Sequence, residues 1–323
     1  MSKRVLIVKT SSMGDVLHTL PALTDAAKAI DGIKFDWVVE EAFAQIPQWH
    51  HAVDQVIPVA IRRWRKNWFG RPIRFERQQF YTKLREKSYD YIIDAQGLIK
   101  SAFLVTRKAH GIKHGFDKCS IREPIASLFY DVTHKIAKQQ HAVERIRQLF
   151  AATLNYQYIG RGDYEIANHF LSRLPSDKDQ YLVFLHATTR NNKHWSEAYW
   201  RALIQALGNC GLKIKLPWGS PHERERAMRL ADGFPHVVVL PKLTLSEVAM
   251  VLAGARAVIS VDTGLSHLTA ALDRPNITLY GPTDPGLIGG YGYHQYVLKS
   301  ADHQMNSITA QDVLKRLQQH QLL

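Results

Sequence analysis

Ala257-Val-Ile-Ser-Val-Asp-Thr-Gly-Leu-Ser-His-Leu-Thr-Ala-Ala-Leu272 is the stretch whose reading decides the fold. Ala257 to Val261 is a short β-branched run and reads as a buried strand. Leu265 to Leu272 has helical spacing of apolar residues, interrupted by Ser266 and His267. Asp262, Thr263 and Gly264 form the corner between them. A strand that turns straight into a helix presents backbone N–H groups at the helix start, and the helix dipole there favours an anion. Gly264 allows close approach, Thr263 and Ser266 add hydroxyls, and His267 sits on the first turn. The expectation is a diphosphate site. The same Asp262 and Thr263 also suit plain helix capping.

Working outward, Asn276 to Tyr280 is the next strand and ends in a second turn, Gly281-Pro-Thr-Asp-Pro285. Tyr181 to Leu185 is another buried strand, followed by His186-Ala-Thr-Thr-Arg-Asn-Asn-Lys-His-Trp195. Thr188, Thr189, Arg190, Lys193 and His194 in that one loop make an anion clamp. Leu212 to Leu216 and Val237 to Leu240 complete a βα alternation that starts near Tyr181. A helix from Thr309 to Leu322 has Val313, Leu314 and Leu317 on one face and should pack.

The same alternation runs through the first half. Val5 to Val8 is a strand, Thr10 to Asp15 its turn, and Val16, Leu17, Leu20 and Leu23 one helical face. There is no G-x-G-x-x-G at this turn, which argues against a dinucleotide. Asp15 opens the helix, where a carboxylate is stabilised as an anion. It reads equally as an ordinary first-turn residue. Further strands are expected at Lys34–Glu40, within Val53–Val59 and at Tyr89–Asp94. Asp94 is an alternative base, and Gln96, Gly97 and Lys100 follow it at the same sheet edge. Lys113 to Arg122 reads as a basic loop, and Lys138 to Phe150 as a helix with a solvated charged face. The spacer from Asn155 to Asp163 lacks apolar periodicity. The expected division is therefore a domain of residues 1–160 and another of 161–323, in an α/β chain of 323 residues.

Charge separates the halves. Residues 1–160 hold 25 Lys and Arg against 15 Asp and Glu; residues 161–323 hold 17 against 14. The first half should meet an anionic partner. Its densest segment is Arg62-Arg-Trp-Arg-Lys-Asn-Trp-Phe-Gly-Arg-Pro-Ile-Arg-Phe-Glu-Arg77. Guanidinium forks there suit phosphates and carboxylates, and the aromatics suit sugar or a lipid interface. No apolar run is long enough to span a bilayer, and Cys119 and Cys210 form no disulfide or metal framework. A cytoplasmic location is expected.

The blocks Val5 to Leu23, Val56 to Lys66, His186 to Arg190, Lys215-Leu-Pro-Trp-Gly219, Ser260 to Thr269 and Gly281 to Gly290 resemble glycosyltransferase family 9, the lipopolysaccharide heptosyltransferases. The resemblance spans nearly the whole chain; the loop near Lys118 and the C-terminal tail match less closely. It implies a GT-B fold, two Rossmann-like domains facing across a cleft, with acceptor in the first domain and donor in the second. It also implies a C-terminal helix able to pack back on the first domain. The implied reaction is inverting transfer of L-glycero-D-manno-heptose from ADP-heptose to the Kdo residue of Kdo2-lipid A. It would occur at the cytoplasmic face of the inner membrane, to which the enzyme would be peripherally bound.

By the resemblance Asp15 is the base, and the donor contacts fall on Thr188, Thr189, Lys193, Glu223, Leu243, Asp262, Thr263, Gly264 and His267. Inverting transfer needs one base on the acceptor hydroxyl and one positive pole for the leaving diphosphate. Asp15 supplies the first, and Lys193 with the helix start at Gly264 the second. The basic excess leaves Arg62, Arg63, Arg65, Lys66, Lys100 and Arg122 as acceptor residues. The one Asp-x-Asp, Asp177-Lys-Asp179, falls in a polar loop away from this edge, so neither a cofactor nor an obligate metal is expected. A nucleotide-sugar epimerase is the alternative, sharing the double plan but needing no basic-aromatic segment. A nucleic-acid binder would explain the charge but not the two strand-end sites, so no nucleic-acid partner is expected.

Overall fold

The computed structural model describes residues 3–174 and 180–323. The Asp177–Asp179 pair therefore lies outside the described residues. The chain divides into two compact units, Met1–Glu165 and Ile166–Leu323.

The first unit has six parallel strands: β1 (Arg4–Val8), β2 (Lys34–Glu40), β3 (Val53–Val59), β4 (Ser88–Asp94), β5 (His110–Phe116) and β6 (Val132–His134). Their order is β3-β2-β1-β4-β5-β6. Val8 stands beside Val38 of β2 on one side and Asp94 of β4 on the other. The chain order reverses between β1 and β4, and that crevice is where ligands of doubly wound sheets bind. Val5 to Val8 are fully buried, as a central parallel strand covered on both faces must be.

The second unit repeats the plan with β7 (Tyr181–Leu185), β8 (Lys213–Leu216), β9 (Val237–Val239), β10 (Ala257–Val261), β11 (Asn276–Tyr280) and β12 (Gln295–Lys299). The order is β12-β11-β10-β7-β8-β9, so its reversal falls between β7 and β10. Phe184, Trp195 and Trp200 anchor its core, joined by Val313 and Leu317 of the C-terminal helix Ala310–Gln319. The apolar face of that helix is thus seated in the second unit, against the helix Glu197–Ala206 and β11.

Several expectations fail for physical reasons. The apolar face after β1 is two helices, Met13–Leu17 and Leu20–Ala29, with Pro21 in the first turn of the second. The supposed basic loop begins inside β5, whose Ile112 is 51% exposed, so its apolar alternation is weak. The charged helix is Ala142–Leu154, and its Arg147 is fully buried instead of solvated. Arg147 pairs with Asp25 at 2.7 Å and Glu144 at 3.0 Å, and donates to the Gly160 carbonyl at 3.0 Å.

Candidate active site

In the first unit the loop after β1 and the loop after β4 are tied together. Asp94 accepts from the N–H groups of Gln96 (2.9 Å) and Gly97 (3.1 Å), closing a turn in which Gly97 has φ +66°. A side chain at Gly97 would also press on Ile121 at 3.0 Å. The turn aims the Gln96 side chain at the β1 loop, where its Oε1 accepts from Thr10 N (2.8 Å) and Ser11 N (3.0 Å). Asp94 has no exposed surface, and takes further hydrogen bonds from Thr106 Oγ1 at 2.7 Å and Ser101 Oγ at 3.4 Å. Burial pushes its carboxyl above the usual range. It closes the turn and is sealed from solvent.

Asp15 is a first-turn helix residue. Its Oδ2 accepts from Ser12 N at 2.8 Å and Ser12 Oγ at 2.9 Å, the closing half of a capping box. Its side chain is also 45% exposed, with Oδ1 3.7 Å from the buried Lys9 Nζ. Burial lowers the Lys9 pKa, opposed by the charges of Asp15 and Asp94. Lys9 is held by the Ala95 carbonyl at 2.9 Å. In the sequence Lys9 only interrupts an apolar run. Its position one residue past the end of β1 was the available signal.

A cavity of about 760 Å³ opens over Asp15, and Ser12, Gln96, Arg65, Lys100 and Arg122 also line it. Three of the six basic residues expected at the acceptor are therefore gathered around the carboxylate. The other three are absent from its wall. Arg63 is locked to Glu41 (3.1 Å) and Glu76 (2.9 Å). Arg62 lies over the Phe43 ring at 5.6 Å, and Lys66 is exposed. The aromatics of this segment divide as well. Trp64 is core, bonded to Glu76 at 2.9 Å, and Trp68 is stacked by Arg77 at 3.9 Å. Only Phe69 and Phe75 stand out into solvent among them.

In the second unit the expected donor residues follow the carboxyl ends of four neighbouring strands. Thr188, Thr189 and Lys193 come after β7, Glu223 after β8, Leu243 after β9 and Asp262 to His267 after β10. Thr188 Oγ1 donates to the Asp262 carbonyl at 3.1 Å, and Lys193 Nζ pairs with Asp262 Oδ2 at 2.5 Å. His194 bonds the Thr188 carbonyl at 2.9 Å, which fixes the loop. Thr189 and Arg190 are exposed. Thr263 precedes the helix Gly264–Ala271 in extended conformation without capping it through its hydroxyl. His267 is buried on the first turn. Ser266, expected to face an anion, instead turns inward to Ser260 (3.1 Å), Asn276 (3.0 Å) and Thr278 (3.0 Å). Glu223 closes a capping box, accepting from Gly219 N at 2.6 Å and Ser220 N at 3.2 Å.

Among the described residues one group, His50, His51 and Glu165, has metal-like proximity. His50 already bonds Thr24 Oγ1 at 3.0 Å and Ala52 N at 3.2 Å, and Glu165 pairs with Lys28 at 2.9 Å. Both ring nitrogens of His50 are in use, so the donor set does not fit a metal.

Two parallel doubly wound units, each with polar residues at its topological reversal, have the architecture of the GT-B fold class. The chain belongs to glycosyltransferase family 9 (heptosyltransferase), whose profile matches residues 77–318. It is 66% identical over 315 residues to Lipopolysaccharide heptosyltransferase 1 of Escherichia coli K12, covering 97% of this chain and 99% of that one. The solved E. coli heptosyltransferase WaaC with ADP is 66% identical, with TM-score 0.96 over 98% of this chain and 99% of that one. The same enzyme with ADP-2-deoxy-2-fluoro heptose gives 64% identity and TM-score 0.94, over 98% and 99%. The epimerase alternative finds only a likeness of fold. A putative UDP-N-acetylglucosamine 2-epimerase from Listeria monocytogenes is 10% identical at TM-score 0.58, over 100% of this chain and 90% of that one.

Proposed function

We propose that this heptosyltransferase transfers L-glycero-D-manno-heptose from ADP-heptose to the Kdo residue of Kdo2-lipid A, with inversion, during inner-core assembly. The observation that carries the acceptor side is the cavity in which Asp15 stands beside Arg65, Lys100 and Arg122. Kdo carries a carboxylate and lipid A carries phosphates. Three cations around one carboxylate base suit such an acceptor. Asp15 takes the proton of the attacking Kdo hydroxyl as that oxygen bonds to the anomeric carbon, and ADP leaves from the opposite face. Arg62, Arg63 and Lys66 lie in the same segment as Arg65 but outside this wall.

On the donor side, Lys193 offers its charge to the leaving diphosphate. Thr263 and Gly264 offer the N-terminal end of a helix, where the dipole favours the same charge. Thr188, Thr189, Glu223, Leu243, Asp262 and His267 complete the nucleotide-sugar contacts along that sheet edge. The complex of a 64% identical enzyme with an ADP-heptose analogue supports this donor. The chemistry uses a carboxylate and a lysine, with no cofactor and no obligate metal. No helix among the described residues is long and apolar enough to cross a membrane. The enzyme works as a peripheral protein at the cytoplasmic face of the inner membrane, where its lipid acceptor lies.

The test is direct. The protein is incubated with ADP-heptose and Kdo2-lipid A, and the products are read by mass spectrometry. ADP with an acceptor heavier by one heptose is expected. Free heptose with an unchanged acceptor would sink the proposal.

A further inference from the structure

An apolar ledge borders the Asp15 cavity. The helix Ile99–Leu104 presents Ile99 and Phe103, 38% and 42% exposed, on the cavity wall itself. The 3₁₀ turn Pro124–Phe129 packs against that helix and adds Ile125 and Leu128, 60% and 81% exposed. The two elements are joined rigidly. Phe103 and Phe129 meet edge to face at 5.8 Å, and Glu123 accepts from Ile99 N at 2.7 Å. Four large aliphatic or aromatic side chains thus stand in solvent on one fixed surface, more than scattered exposure explains.

The charge around the ledge is mainly basic, although Asp15 and Glu123 share the cavity wall. Lys100 and Arg122 line the cavity, Arg107 lies over the Phe103 ring at 4.6 Å, and Lys118 is exposed on the loop before Arg122. The nearby carboxylates keep their charge but are each tied to a backbone N–H. Glu123 holds Ile99 N, Asp117 holds Ser120 N at 2.8 Å, and Asp131 holds Lys113 N at 2.9 Å. Apolar side chains that project from a basic rim match an anionic lipid surface: aliphatic groups enter the acyl boundary while cations stay at the headgroups. A lipid acceptor is also offered only from a bilayer, so the face bearing its cavity has to meet that bilayer.

We infer that the ledge formed by Ile99, Phe103, Ile125 and Leu128 docks this unit on the anionic bilayer that carries its acceptor. The inference rests on the acceptor reading of the Asp15 cavity. It assigns the lipid contact to this ledge, which borders the acceptor cavity, and not to the segment Arg62–Arg77, which exposes Phe69 and Phe75 but reaches the cavity wall only through Arg65.

The test uses the full chain with the double variant Ile125→Ser/Leu128→Ser, which leaves the cavity wall untouched. Vesicles of phosphatidylethanolamine and phosphatidylglycerol are sedimented with each protein. The wild type should pellet with them, and the variant should bind about tenfold more weakly, the scale of losing two interfacial aliphatic side chains. The acceptor KM should rise about tenfold for Kdo2-lipid A in the vesicles and stay unchanged for its water-soluble deacylated form. An unchanged KM for ADP-heptose shows that the variant is folded. Equal vesicle binding by both proteins overturns the inference. So does an equal loss on both acceptors, or a dimer that the variant splits while vesicle binding persists. If the wild type binds vesicles through the ledge but transfers to neither acceptor, the docking stands and the acceptor reading falls.

Discussion

Lys193 Nζ and Asp262 Oδ2 meet at 2.5 Å, joining the loop after β7 to the loop after β10 across the reversal of the second sheet. The cation is therefore placed before any donor arrives. A diphosphate entering this edge must share it with Asp262. Lys193→Ala should raise the dissociation constant for ADP-heptose and lower kcat together, each by about tenfold or more, because the charge meets the diphosphate before and during its departure. Calorimetry with ADP-heptose and steady-state rates on the same variant supply both numbers. Wild-type activity should persist in excess EDTA. Activity lost on chelation and restored by Mg²⁺ would show that a metal, and not Lys193, neutralises the leaving group.

The two candidate bases of the first unit separate by environment. Asp15 faces the cavity, whereas Asp94 is sealed beneath it with Thr106 and two backbone N–H donors. Asp15→Asn should keep ADP-heptose affinity and lower kcat by roughly 10²-fold or more, the scale of a lost general base. Asp94→Asn should act through stability, lowering the melting temperature while the folded fraction keeps most of its kcat. A fully active Asp15→Asn beside a dead but stably folded Asp94→Asn would reverse the assignment.

These contrasts mark what the sequence could convey. Strands buried on both faces were legible because they are short runs dominated by apolar and β-branched residues. The limits expected for β2, β7, β10 and β11 are those observed. β5 escaped because His110, Gly111, Lys113 and His114 dilute its period, and β6 because three residues carry no period. The direction of a side chain was less legible still. Ser266 and Arg147 look like surface donors in the sequence. One closes a buried polar network, and the other holds two helices and the Gly160 backbone together. Nothing local distinguishes them, since their partners Asn276 and Asp25 are remote in sequence or lie on another element.

The six basic residues proposed for the acceptor should not be equal. Arg65, Lys100 and Arg122 line the cavity, while Arg63 is committed to Glu41 and Glu76. The triple change Arg65→Ala/Lys100→Ala/Arg122→Ala should raise the acceptor KM strongly and leave ADP-heptose affinity nearly unchanged. Raised salt should mimic part of the loss, since exposed charges are screened beyond about 8–10 Å at physiological ionic strength. Arg63→Ala should change the acceptor KM little. The informative result is the pair of constants on each protein. A large effect of Arg63→Ala with a silent triple variant would move the acceptor to the segment Arg62–Arg77.

Acid stability follows from two histidines, one in each unit. His50 is 1% exposed and its two ring nitrogens serve Thr24 Oγ1 and Ala52 N, a pattern that needs the neutral ring. Burial pulls its pKa down to about 3, helped by His51 and Lys28. His186 has no exposed surface and is also held at about 3, first by burial and then by the charges of Arg226 and His194. Both folded values lie below the unfolded value of about 6.5, so below that pH the unfolded chain binds the protons first. Stability is then unaffected by these groups above about pH 6.5 and falls as the pH drops toward 3. The slope is about 1.4 kcal/mol per pH unit for each ring, or about 2 kcal/mol each between pH 6.5 and 5. Buried carboxyls such as Asp94 oppose this trend, so the comparison must be made between variants. Urea unfolding of wild type, His50→Gln and His186→Gln at pH 7.5 and 5.0 isolates each ring. Each variant should lose about 2 kcal/mol less than wild type on acidification, whatever its stability at pH 7.5. If all three proteins lose the same amount, the rings either stay neutral in the unfolded chain or take up their protons while folded, and the burial argument fails.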